Sequence, residues 1–137
     1  MTERIIESIE PLEDYKPAAP IMGWGNFDGY KITCTDGYSY FLGIGNSQGC
    51  CERFGYLSSE DDLDEFLGAT ILDVARTDTS LCTKKLKDDE LYVEDCMFVT
   101  FKTNKGDFQL VVYNQHNGYY GHPVVFVSGD EILEEVL

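Results

Sequence analysis

Residues 50 to 53, Cys50-Cys51-Glu52-Arg53, set two thiols, a carboxylate and a guanidinium side by side, and the two imidazoles of the chain, His116 and His122, come much later. A thiolate nucleophile needs a base, so Cys50 or Cys51 with His116, and Asn114 or Asn117 to orient the ring, has the parts of a catalytic set. Glu52 opposes it, because a carboxylate beside a thiol raises its pKa. The two cysteines and two histidines also supply the donors of an S₂N₂ zinc site. Neighbouring residues of an extended segment face opposite ways, however, and both thiols reach one ion only in an unusual turn. The bland reading is a strand start with one thiol in and one out, and neither metal nor cofactor is expected. Asn117-Gly118-Tyr119-Tyr120 reads as a turn that leaves one tyrosine ring at the surface, where a partner or nucleobase can stack. If it met Cys50, Cys51 and Glu52, Arg53 would be the phosphate contact of a small nucleotide site. The two G-x-G stretches, "GWGNFDG" and "GIGNSQG", lack the third glycine and the helix of a dinucleotide loop, and they read as turns.

Carboxylates are the other chemistry in quantity. The chain has 25 Asp and Glu against 10 Lys and Arg, a net charge of −15 over 137 residues, well beyond the magnitude of about 2–8 usual for a small domain. Two clusters concentrate it: Glu60, Asp61, Asp62, Asp64 and Glu65, then Asp88, Asp89, Glu90, Glu94 and Asp95. Such a surface repels nucleic acid phosphates and anionic membranes and attracts a basic partner, for which the carboxylates can stand in for phosphates. A solvated face is the plain alternative. With no coherent active site in view, a non-enzymatic binder is expected.

The elements that position these residues follow from periodicity. Ile5, Ile6 and Ile9 have helical spacing up to Pro11, and "PLEDYKPAAP" reads as extended, so residues 1–27 are expected to be an arm leading into a single domain at 28–137. Tyr30, Ile32 and Cys34 alternate with Lys31, Thr33 and Thr35 as a strand does. Asp36-Gly37 then matches a two-residue type I′ hairpin turn before "YSYFLGI". Residues 53–57 are a short strand or a connector. Ser59 to Asp62 resemble a capping box, and Leu63, Phe66 and Leu67 form the stripe of a short helix closed by Gly68. "TILDVART" reads as a strand, and a second hairpin turns at Asn104-Lys105-Gly106. "PVVFVS" is one more strand, and Asp130 is placed to cap a last helical turn. The sum is an α+β domain with a mainly antiparallel sheet of about six strands, two hairpins and one short helix.

No apolar run reaches the roughly 18 residues of a membrane span, and "MTERIIESIE" lacks the basic and apolar segments of a secretion signal. The expected place is the cytoplasm of a host cell, where five cysteines, an odd number, stay reduced. An exposed sheet edge leaves homodimerisation open.

Cys50-Cys51-Glu52, "DLDEFLGATI" at 62–71 and Asn117-Gly118-Tyr119-Tyr120 followed by a strand resemble a family of small bacteriophage and prophage proteins, a domain of unknown function. The likeness runs over about residues 28 to 127. It carries no catalytic residues across. It implies a phage or mobile-element accessory protein and, by analogy with other small acidic phage proteins, an inhibitor of a basic, nucleic-acid-handling host defence protein such as a CRISPR-associated nuclease. The alternative is a nucleotide or metal site at the two motifs.

Overall fold

A computed structural model describes residues 4–15, 26–45, 53–60, 62–77, 96–115, 123–129 and 131–136. Nine strands form one antiparallel sheet: β1 (Arg4–Tyr15), β2 (Phe27–Cys34), β3 (Ser39–Gly45), β4 (Arg53–Ser58), β5 (Thr70–Thr77), β6 (Cys96–Thr103), β7 (Gly106–Gln115), β8 (Pro123–Ser128) and β9 (Glu131–Val136). The spatial order is β4-β7-β6-β5-β1-β2-β3-β8-β9. A 3₁₀ turn at Leu63–Phe66 is the one helical element among the described residues. The fold is therefore nearly all β, and the expectation of an α+β domain with six strands and a helix does not hold.

The helical spacing at the N-terminus has another origin. In β1, Ile6 pairs with Cys34 and Ser8 with Thr33, so Glu7 is an extra residue and the strand bulges there. One inserted residue shifts the alternation by one, which brings Ile6 and Ile9, three apart, to the same face. A second irregularity between Leu12 and Tyr15, where Asp14 has φ 54°, does the same for that pair on the opposite face. Leu12 and Tyr15 pack there with Phe27, Phe41 and Val125.

The expected helix after Ser59 shrinks because its first residues are engaged elsewhere. Ser59 is bonded twice to Gln109 of the β7 strand: its N–H donates to the Gln109 carbonyl, and its side-chain hydroxyl accepts from the Gln109 N–H. The cap is Asp62, whose carboxylate accepts from the Asp64 N–H at 3.0 Å. Four residues later the Gly68 N–H donates to the Ile6 carbonyl, and this pulls the chain onto β1. At the other end the expected helical turn after Asp130 is β9, which pairs with β8 from Ser128↔Glu131 to Pro123↔Val136. An open edge of β8 offers a full ladder of hydrogen bonds, whereas one isolated helical turn has a costly nucleus.

Both hairpins form. The first has a three-residue loop rather than type I′: the Gly37 N–H donates to the Cys34 carbonyl and the Cys34 N–H to the Tyr38 carbonyl, with Gly37 alone at φ 87°. Asp36 keeps negative φ and its carboxylate accepts from the Tyr38 N–H at 3.0 Å, a local bond that type I′ geometry does not require. The second turns at Asn104-Lys105, with Gly106 at φ 119° opposite Thr103.

The sheet is folded over on itself. β1 meets β5 through only two pairs, Arg4↔Ile71 and Ile5↔Thr70, and beyond them the halves diverge and turn one face toward each other. Ile32, Leu42 and Ile44 of β2 and β3 share that interior with Val99, Phe101, Phe108 and Leu110 of β6 and β7. Phe101 is central, stacked on Phe108 at 5.0 Å and edge-on to Tyr40 at 5.5 Å. Between β2 and β3, Gly29 faces Gly43, and a Cβ at Gly29 would lie 1.8 Å from the Leu42 carbonyl oxygen. An ion pair between Arg76 of β5 and Glu135 of β9 links the halves at the rim.

Tight turns and the 3₁₀ segment occupy one end of the strands.

Candidate functional site

Past Ile6, β1 has β2 as its one sheet neighbour, and the edge strand β4 comes close to β2 without pairing with it. Pro11, which has no N–H to give a ladder, lies in this single-sided stretch of β1. The space left between β1, β2, β4 and the 3₁₀ turn is a groove of about 470 Å³. Ile9 and Pro11 line it from β1, Tyr30 from β2, Tyr56 to Ser58 from β4. Glu60, Asp62, Leu63 and Asp64 form its rim.

Tyr30 and Tyr56 meet edge to face, with centroids 5.0 Å apart and planes at 87°. Burial pushes the Tyr56 hydroxyl above its ordinary value, and the negative charges of Glu13 and Asp28 act in the same direction, as does its hydrogen bond to Glu13. The Ser58 hydroxyl donates to the Glu60 carbonyl and holds the rim against the end of β4. Glu60, Asp62, Asp64 and Glu65 are exposed, and among the described residues none of them forms an ion pair with a lysine or arginine. Three nearby cations are engaged elsewhere: Arg4 lies over the Tyr38 ring at 3.7 Å and faces Asp36, Lys31 donates to the Tyr15 hydroxyl, and Lys105 donates to the Leu67 carbonyl. What these groups can do chemically is bind a cation between aromatic faces and carboxylates.

Of the first acidic cluster, Glu60, Asp62 and Asp64 thus line a groove, Glu65 is exposed without lining it, and Asp61 lies outside the described residues. The second, Asp88, Asp89, Glu90, Glu94 and Asp95, lies outside them too. So do Cys50, Cys51, Glu52, Asn117, Tyr119, Tyr120, His116 and His122. Arg53 opens β4 opposite Gln115, so the chain enters β4 beside the point at which it leaves β7. Asn114, considered as an orienter for a histidine, is 1% exposed on β7. Among the described residues no three of His, Cys, Asp and Glu are grouped to hold a metal ion, and no helix is long and apolar enough to cross a membrane.

Sequence reading missed Tyr30 and Tyr56 as site residues. Alternation assigns Tyr30 to the face of Ile32 and Cys34, which is correct, but nothing local says that β4 will bring Tyr56 to it across 26 positions of chain.

A family model described as a domain of unknown function (DUF7448) matches residues 1–126. The chain belongs to that DUF7448 family. The match begins at residue 1 rather than near 28, so the family unit includes β1, whose Ile9 and Pro11 wall the groove. No curated protein and no solved structure matches this DUF7448 chain.

Proposed function

We propose that this protein is an acidic, non-enzymatic binder that captures a basic, nucleic-acid-handling protein and inhibits it by offering carboxylates where that partner expects phosphates. The observation that carries this reading is the rim of Glu60, Asp62 and Asp64, exposed and without a described cation, on a chain of net charge −15. Steering by such a field speeds association with a positive surface and repels nucleic acid. The likeness to phage and prophage proteins gives the partner its class, a host defence protein such as a CRISPR-associated nuclease, and the cytoplasm as the place of action.

The test is affinity purification from a bacterial lysate, followed by direct binding of the purified partner at rising salt. Affinity is expected to fall steeply between about 0.05 M and 0.3 M NaCl, and Asp64→Lys with Glu65→Lys is expected to weaken it at least tenfold at low salt. These two are chosen because Asp62 also caps the 3₁₀ turn. Binding that ignores both salt and charge reversal overturns the reading. The second reading, a nucleotide or metal site at Cys50 to Arg53 and Asn117 to Tyr120, draws on the Arg53↔Gln115 register, which sets the strand ends next to those motifs side by side. Thermal-shift screening with cyclic nucleotides and zinc checks it, and stabilisation by one of them supports it.

A further inference from the structure

The groove offers more than charge. Its inner wall is apolar and aromatic, from Ile9, Pro11 and the Tyr30–Tyr56 pair, and its mouth is acidic, from Glu60, Asp62 and Asp64. At about 470 Å³ the groove has the volume to take one side chain laid along its wall, open to solvent on the other side. No lysine or arginine is among the described residues that line it.

Such a pocket discriminates between cations. An ammonium is a compact, strongly hydrated charge that is best served by one carboxylate in water. A guanidinium is planar and more weakly hydrated, stacks on a tyrosine ring and forks to carboxylate oxygens. We propose that the groove between β1, β2 and β4 is an anchor pocket for an arginine side chain of the basic partner, with Tyr30 and Tyr56 as the stacking wall and Glu60, Asp62 and Asp64 as the acceptors. This rests on the reading of the protein as a binder of a basic partner and adds what that partner must present.

The experiment titrates the isotope-labelled full chain with short peptides of one sequence that carry arginine, lysine or citrulline at the same positions, and follows amide shifts. Expected is an affinity for the arginine peptide about fivefold above that for lysine, no binding of the uncharged citrulline peptide, and shifts centred on Tyr30, Tyr56 and Leu63. Tyr56→Leu should shrink the advantage of arginine over lysine, while Asp107→Asn, on the remote β6–β7 hairpin, should leave it intact. If arginine and lysine bind equally, with shifts spread over the acidic surface, the pocket is overturned and the acidic-binder reading stands. If arginine does not bind, the pocket is likewise overturned, and the salt and charge-reversal experiment decides the broader reading alone. Should Tyr56→Leu fail to fold, the three-peptide comparison on the unaltered chain is sufficient.

Discussion

Cys34 and Tyr40 show how single residues on the inner face feel the fold. Burial pushes the Cys34 thiol from 9.0 to about 11, with Asp36 adding to the rise and Arg4 opposing it. Burial likewise pushes the Tyr40 hydroxyl from 10.0 to about 12. Both groups are neutral when protonated, so the folded state keeps protons that the unfolded chain has already lost. Below pH 9 their contribution is fully present. As pH rises from 9 toward 11 for Cys34, and from 10 toward 12 for Tyr40, it is lost, at about 1.4 kcal/mol per unit of separation. Urea midpoints measured across this range are expected to fall steadily above pH 9, and Cys34→Ala should flatten the first part of that fall. A profile unchanged by Cys34→Ala would mean that the thiol is not held out of solvent. The inward placing of Cys34 was legible from alternation with Ile32. Its raised ionisation was not, because it depends on burial in the tertiary core and on Asp36 across the turn.

At the scale of elements, β1 decides the architecture. Its Glu7 bulge sets Ile6, 1% exposed, against Cys34 on one side, while backbone bonds tie Ile6 to Gly68 and Ala69 on the other. Ile6→Ala should cost about 2–5 kcal/mol. Deletion of Glu7 should cost less, because Ile6 then precedes Ser8 directly and the plain alternation of a bulge-free strand still sets Ile6 and Ile9 on one face, opposite Cys34 and Ile32. Chemical denaturation of the two variants checks the order, and a deletion costlier than the alanine would show that the bulge itself is required to seat β1. Arg76–Glu135 is an element-scale feature of smaller weight: both side chains are more than a third exposed, and exposed pairs contribute about 0–1 kcal/mol. Closure of the sheet therefore depends on its aromatic interior.

For the whole molecule, the excess of carboxylates that invites a basic partner also strains the fold by self-repulsion. Salt should act in opposite directions on the two. Raising NaCl from about 0.02 M to 0.5 M is expected to lift the thermal midpoint by roughly 5 °C as the charges are screened, under the same change that weakens partner binding. A midpoint that does not move, followed by calorimetry, would show that the carboxylates are neutralised by neighbours within the chain. The accessible surface of 7784 Å² is close to the roughly 7,200 Å² that scaling gives for a monomer of this mass, so the charge is spread over a folded, not an extended, body.

The sequence by itself determined the two hairpins, the strands at 70–77 and 123–128, the inward face of β2 and the acidic segment at 60–65, because alternation, turn residues and charge are local properties. It misread residues 5–9, 59–67 and 130–137 as helical. In each, a short stretch with ambiguous spacing was settled by partners distant in the chain: Cys34 and Ala69 for Ile6, Gln109 for Ser59, and β8 for β9. The groove belongs wholly to the tertiary structure. Tyr30, Tyr56 and Asp62 meet only because a bulged β1 lets the sheet fold over and bring its β4 edge to β2, and no local pattern encodes a contact between separate strands.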